Sequence, residues 1–229
     1  MIGVYDYTVI LTYLSLLSAG SGIILSLSGG GHPYIGMFCL LLCGCLDAFD
    51  GKVARRKKNR TELERNFGIQ IDSLSDLVAF GVLPACIGAS FIRLSPFLNE
   101  IGFFDKLFPK VIFYAILVLY VLAAMIRLAY YNVTEEERQK TEGGARKYFV
   151  GVPVTSAALT FPTVLLVDYV ISVDVCILYV VLALVSAFAF ISKVQVPKPG
   201  TRGVWIMIAI GLTEVVLLTL AMAQKMNWF

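Results

Sequence analysis

Asp47, Asp50, Asp72 and Asp76 are the residues of this sequence whose types and spacing speak most directly of chemistry. Each sits among apolar neighbours in a stretch that must be helical if it enters a bilayer, where an unpaired charge is costly. Asp47 and Asp50 stand at i, i+3 and Asp72 and Asp76 at i, i+4, so each pair projects from one face of its helix. Four carboxylates drawn together repel one another unless they are protonated or neutralised by cations, and neither stretch carries a matching set of deep basic residues. Hard oxygen ligands with no nearby His or Cys favour magnesium, manganese or calcium over zinc. Four formal negative charges leave room for two divalent ions, an arrangement suited to phosphoryl chemistry because it can hold a phosphate and activate an attacking oxygen. The plainer alternative has the acids scattered, snorkelling to the interface or pairing with Lys52 and Arg55. It would suit one acid better than four at matched depth.

Depth follows from the elements that carry them. Apolar runs long enough to span occur at residues 8–27, 34–54, 68–92, 108–131, 152–170, 175–191 and 204–223, seven candidate helices. The fifth and sixth are short and parted only by residues 168–174, so they could be one broken segment. With the second helix reaching the interface near Arg55, Asp47 lies about 12 Å and Asp50 about 7.5 Å inside it, at a rise of about 1.5 Å per residue. The third helix runs the other way, and counting from Gly68 puts Asp72 about 6 Å and Asp76 about 12 Å deep. The two pairs are therefore level when these helices pack side by side.

Of 229 residues, 58% are hydrophobic and 15% charged, which places the chain in a bilayer as one all-α domain, residues 1–229, with no soluble domain visible. A net charge of +3 is too small to argue for nucleic acid. The basic residues cluster between apolar runs: Arg55, Arg56, Lys57, Lys58, Arg60 and Arg65 after the second, Arg138, Lys140, Arg146 and Lys147 after the fourth, Lys193, Lys198 and Arg202 after the sixth. By the positive-inside rule these three links and the N-terminus face the cytoplasm, with Arg93, Lys106, Lys110 and Lys225 opposite. The first run lacks the basic start of a cleavable signal peptide and is expected to be retained. The residues from Glu135 to Ala145 read as a polar cytoplasmic loop. Cys39, Cys43, Cys45, Cys86 and Cys176 fall inside apolar runs without a CxxC pair and read as small packing residues. No internal repeat supports a transporter with inverted repeats.

The stretch Asp47-Ala-Phe-Asp50-Gly51-Lys-Val-Ala54-Arg55, followed by Gly68-Ile-Gln-Ile-Asp72-Ser-Leu-Ser-Asp76, resembles the signature of the CDP-alcohol phosphatidyltransferase family, DxxDGxxAR and then GxxxDxxxD. It departs in its spacer, residues 56–67, which is longer than in many members and falls in the basic link. The resemblance implies six core transmembrane helices, with the seventh run as an added C-terminal helix, and a homodimer in the cell membrane with its active site at the cytoplasmic face. It also implies roles. Asp47, Asp50, Asp72 and Asp76 would hold two divalent ions, Mg2+ or Mn2+ with Ca2+ as another occupant, and Asp76 would be the base for the acceptor hydroxyl. Gly51, Ala54 and Gly68 would let the cytidine nucleotide approach the helices, with Asp47 beside it, and Arg55 would hold a phosphate of the CDP group. Each has a plain rival, since membrane-helix glycines are commonly packing contacts and an arginine at a helix end commonly a topology anchor.

Three further stretches, residues 72–84, 127–132 and 148–154, are similar to the phosphatidylserine synthases of bacteria and archaea. That branch implies CDP-diacylglycerol as donor and L-serine as acceptor, with phosphatidylserine and CMP as products. A zwitterionic acceptor needs a cation for its carboxylate, and Arg127, with Tyr131 and Asn132, could supply it; Arg146 and Tyr148 form a second candidate wall. Glu214, in the last run, has no motif around it and reads as a packing contact. Two rivals stand: another acceptor such as glycerol phosphate or inositol phosphate, or an archaeal donor, within the same family; and a divalent-cation channel or carrier. Against the channel stand Gly51, Ala54 and Arg55, because a positive group beside a cation pore opposes conduction.

Overall fold

Small residues decide how the first two helices meet. In the computed structural model, which describes residues 3–28, 33–54, 56–57, 59–103, 106–141, 148–171, 174–198 and 200–225, helix α1 (Ile10–Leu27) buries Thr12, Ser15, Ala19, Gly22 and Ser26. Their alternating spacing of three and four puts them on one face. Helix α2 (Pro33–Ala54) lies along that face so closely that a Cβ on Gly36 would fall 2.1 Å from Ser26 Oγ. Ser18 Oγ donates to the Cys39 carbonyl at 3.1 Å and Cys43 Sγ to the Ser15 carbonyl at 3.3 Å. In hydrocarbon such close packing and interhelical hydrogen bonding replace the expulsion of water as the force between helices. All five cysteines are free thiols.

Helix α3 (Glu62–Asp76) begins before its apolar run does. Thr61 Oγ1 accepts from the Glu64 amide at 3.2 Å while Glu64 Oε2 accepts from the Thr61 amide at 3.0 Å, a capping box that starts a helix whatever its hydrophobicity. The chain runs on through a π-helical segment (Leu77–Val82) into α4 (Leu83–Leu94). Pro84 has no N–H to offer and its ring crowds the preceding turn, and the wider π turn, in which the Leu83 amide reaches Val78 O, accommodates it. At the end of α4, Arg93 donates to the carbonyls of Ser26, Leu27 and Ser28 at 3.2–3.5 Å. It thereby closes the C-terminus of α1, which accounts for a basic residue on the sparsely charged side.

A short α5 (Pro96–Glu100) leads to α6 (Leu107–Thr141). The stretch from Glu135 is a correction to the sequence reading: it continues the helix to Thr141, and only residues beyond it fall outside the described ones. Glu, Arg, Gln and Lys are good helix formers, and Arg138 pairs with Glu135 at 2.6 Å one turn back, so polarity marks depth here and not the end of the helix. At about 1.5 Å per residue α6 is about 52 Å long, well beyond a hydrocarbon core of about 30 Å.

Strand β1 (Tyr148–Val150) and a 3-10 turn (Val154–Ser156) precede α7 (Ala157–Ile171), followed by α8 (Cys176–Ile191), strand β2 (Gln195–Pro197) and α9 (Thr201–Lys225). The fifth and sixth apolar runs are thus two separate helices. The strands pair antiparallel, Phe149 opposite Val196. Gly151, at φ +75°, ends β1 where a Cβ would lie 2.4 Å from Phe190 O. Strands this short leave no periodic trace, and the sequence reading contains neither. Asp174 fastens the other side: its carboxylate accepts from Ser95 Oγ, from the Phe97 amide at 3.2 Å and from the Cys176 amide at 2.9 Å.

Among the described residues, five helical stretches are long and apolar enough to cross a membrane, and α7 and α8 are shorter apolar helices. The chain is a multi-pass, all-α membrane protein. Its centre is an aromatic cluster from α6, α7 and α8, in which the rings of Tyr120 and Phe161 lie 5.5 Å apart, Phe161 and Tyr179 4.7 Å, and Tyr120 and Phe190 5.5 Å. The β1–β2 pair joins the links after α6 and α8, and Lys57 joins the N-terminal segment to the link after α2 by a 2.6 Å bond to Asp6. Helix α9 packs on α7 and α2, and there buried Glu214 accepts from Thr163 Oγ1 at 2.6 Å, the packing contact its surroundings suggested.

Candidate active site

Helices α2 and α3 bring three of the four acids into one cluster. Oxygens of the half-buried Asp47, Asp50 and Asp72 carboxylates all lie within 4.8 Å of one another, and Asp50 and Asp72 are in hydrogen-bonding contact. Asp76, one turn further along α3, stands outside that trio but within electrostatic reach of it, Asp47 foremost. Asp50 beside Asp72 at the shallow level and Asp47 facing Asp76 at the deep one is the pairing that antiparallel helices require.

Two serines set the rotation of α3 about its axis. Ser75 Oγ donates to the Thr12 carbonyl of α1 at 3.2 Å, and Ser73 Oγ accepts from Asn132 Nδ2 of α6 at 2.7 Å. With residue 75 held to α1 and residue 73 to α6, the face bearing Asp72 and Asp76 is left toward α2. The sequence reading passed over both serines, although their positions beside the acids were a usable signal.

The third wall is α6. Arg127 is only 8% exposed, its guanidinium lies 5.2 Å from the centre of the Tyr131 ring, and its charge acts on Asp47 and Asp76. Tyr131 packs in turn on Phe149 at 5.9 Å. Asn132 is engaged with Ser73, and Tyr148 is 54% exposed on β1. Arg55 and Arg146 lie outside the described residues. Gly51 and Ala54 are half-buried on α2, one and two turns from Asp47 on its face. Gly68 has the guanidinium of Arg60 against it: a Cβ there would be 2.7 Å from Arg60 Nη2.

Three carboxylates at these separations form a hard, anionic donor set that a divalent cation fits and that would repel itself without one. The acids lie within electrostatic reach of a buried arginine from α6, so the site offers anion and cation recognition side by side.

Known proteins are similar in sequence. Residues 8–186 match the model of the CDP-alcohol phosphatidyltransferase family. The chain is 40% identical over 127 residues to the CDP-diacylglycerol–serine O-phosphatidyltransferase of Saccharomyces cerevisiae, covering 53% of this chain and 38% of that protein. It is 30% identical over 195 residues to the archaetidylserine synthase of Methanothermobacter thermautotrophicus, covering 83% and 70%. It is 31% identical over 134 residues to the CDP-diacylglycerol–serine O-phosphatidyltransferase of Helicobacter pylori, covering 58% and 47%. The match spans less than half the length of the yeast and Helicobacter proteins.

Proposed function

The chain belongs to the CDP-alcohol phosphatidyltransferase family, and we propose that it transfers the phosphatidyl group of CDP-diacylglycerol to the hydroxyl of L-serine, giving phosphatidylserine and CMP. The observation that carries this reading is the meeting of Asp47, Asp50 and Asp72 within 4.8 Å, with Asp76 and the buried Arg127 beside them. The relatives named for serine transfer support the acceptor.

Asp47, Asp50 and Asp72, with Asp76 adjacent, would hold two divalent cations, Mg2+ or Mn2+. Bound there, such ions would neutralise the diphosphate of the donor and the charge that develops on it. Asp76 is the base: it takes the proton of the serine hydroxyl as that oxygen attacks the phosphorus bearing the diacylglycerol. A new oxygen–phosphorus bond forms, the bond to the CMP oxygen breaks, and CMP leaves with the electron pair. Arg127 holds the serine carboxylate as a fork of donors while its own face rests on Tyr131. Asn132 acts on α3 through Ser73. Gly51 and Ala54 give the nucleotide room at the mouth, with Arg55 and Asp47 beside its phosphate, while the space the sequence assigned to the nucleotide at Gly68 is taken by the Arg60 guanidinium. Arg146 and Tyr148 belong to a wall at the rim.

The reaction fits a homodimer in the cell membrane with the N-terminus and the mouth at the cytoplasmic face, where serine and nucleotide arrive, while lipid tails enter between helices. The most extensive of the three matches is to an archaetidylserine synthase, so an archaeal-type lipid on the donor is a second reading of the tails alone. Purified protein given CDP-diacylglycerol, Mn2+ and labelled serine should yield labelled phosphatidylserine and CMP in equal amounts. Release of CMP only with glycerol phosphate or inositol phosphate would overturn the serine assignment.

A further inference from the structure

Among the described residues, Arg60 is a cation whose neighbours have left it without a carboxylate. Next to it Glu64 is fully engaged, Oε1 with Lys57 at 2.8 Å and Oε2 with the Thr61 amide at 3.0 Å, and Lys57 also holds Asp6. Arg60 reaches past that carboxylate and donates from Nη2 to the backbone carbonyl of Glu64 at 3.2 Å. Its Nε is buried with no acceptor among the described residues. A buried, charged donor without an acceptor is costly, and such a group in a native protein calls for an explanation, of which a ligand is one.

The guanidinium lies where a ligand would be expected. Residues 64, 68 and 72 follow one another at i, i+4 along α3, so Glu64, Gly68 and Asp72 share a face. Nη2 would be 2.7 Å from a Cβ at position 68; only glycine leaves a lane in which the fork can lie flat on the helix. It therefore sits about one turn, or roughly 6 Å at 1.5 Å per residue, toward the mouth from Asp72 and the carboxylate trio. Arg127 approaches from α6 and acts on the deeper acids, Asp47 and Asp76. The two arginines thus stand at opposite ends of the cluster.

Resting on the reading of this cleft as a CDP-lipid site, we propose that Arg60 is a substrate-binding residue whose guanidinium, lodged over Gly68, takes phosphate oxygens of the donor's CDP group from the α3 side. Lys57 keeps Glu64 and Asp6 occupied, so that Arg60 stays available. Arg60 takes no part in holding serine.

The test is binding and kinetics of Arg60→Gln and Arg60→Lys in detergent with Mn2+. The probes are CMP and CDP-diacylglycerol, read by calorimetry and by initial rates. Losing a charge-assisted pair should weaken CMP and raise KM for CDP-diacylglycerol roughly ten- to a hundredfold in Arg60→Gln. KM for serine and the melting temperature should stay at wild-type values. Arg60→Lys, which keeps the charge and loses the fork, should fall between. Wild-type binding of both probes with unchanged affinity in Arg60→Gln would overturn the role of Arg60 alone. An equal rise in KM for serine would overturn it as well, showing a general distortion. Wild-type protein that binds neither CMP nor CDP-diacylglycerol would remove the nucleotide reading of the cleft and this inference with it.

Discussion

The hydroxyl of Tyr120, on α6, donates to the carbonyl oxygen of Phe80 at 2.5 Å across the buried helix interface. That carbonyl is the one whose α-helical partner would be the amide of residue 84, and residue 84 is proline. The π segment that begins directly after Asp76 and the hydroxyl of Tyr120 together resolve one local fault, a carbonyl left without a donor where no water can supply one. Tyr179 makes a similar bond to the carbonyl of Pro84 itself at 2.7 Å. The acids on α3 are thus backed by a helix whose irregular turn is fastened from two neighbours.

Tyr120→Phe should therefore destabilise the protein by about 1–3 kcal/mol, the cost of a buried acceptor left unsatisfied. Pro84→Ala restores the missing amide, so the cost of Tyr120→Phe should shrink in the Pro84→Ala background. Melting temperatures of the single and double variants in one detergent give the coupling directly. Additive effects would refute the link.

Asp76→Asn keeps the size of the side chain and removes its basicity. Turnover should fall roughly a hundred- to ten-thousandfold, while affinity for CDP-diacylglycerol largely survives. Single-turnover assays beside binding measurements separate the two, and unchanged turnover would remove Asp76 as the base.

Arg127→Gln should raise KM for serine roughly tenfold or more, as expected for loss of a charge-assisted bond, and leave KM for the donor near its wild-type value. The comparison with Arg60→Gln gives opposite patterns for the two arginines. A rise confined to the donor in Arg127→Gln would reverse the assignment.

Lys57 holds the Asp6 carboxyl at about 2, below its ordinary 3.8, chiefly through their hydrogen bond. A carboxyl lowered on folding contributes stability that is fully present above its unfolded value and is lost as pH falls through the folded one. The melting-temperature gap between wild type and Asp6→Asn should accordingly level off above about pH 5 and close as pH approaches 2. The bond lies at the surface, so the gap will be small. A gap that widens toward acid would contradict the ion pair.

Much of this site was legible because charge inside an apolar run has few innocent explanations. The spacing of Asp47 with Asp50 and of Asp72 with Asp76, and the opposite directions of their helices, were enough to set the two pairs level with each other; which acid meets which came from the structure. Hydrophobicity marked which stretches could span a membrane, but not where helices begin or end: Thr61 and Glu64 start α3 by hydrogen bonding, and the polar tail of α6 stays helical through its own propensity. The π turn at Leu77–Val82 is fastened by a tyrosine far away in sequence, and the β1–β2 pair joins two distant links. Arg60 was hidden among basic neighbours, because only the contacts of Lys57 and Glu64 single it out.

The claim on which the rest depends is that carboxylates from α2 and α3 share a divalent cation, and Mn2+ binding followed by electron paramagnetic resonance tests it most directly. Wild-type protein should take up Mn2+, and Asp50→Asn and Asp72→Asn should each lose that uptake while keeping the wild-type melting temperature in metal-free buffer. Mn2+ bound equally by wild type and both variants would contradict it.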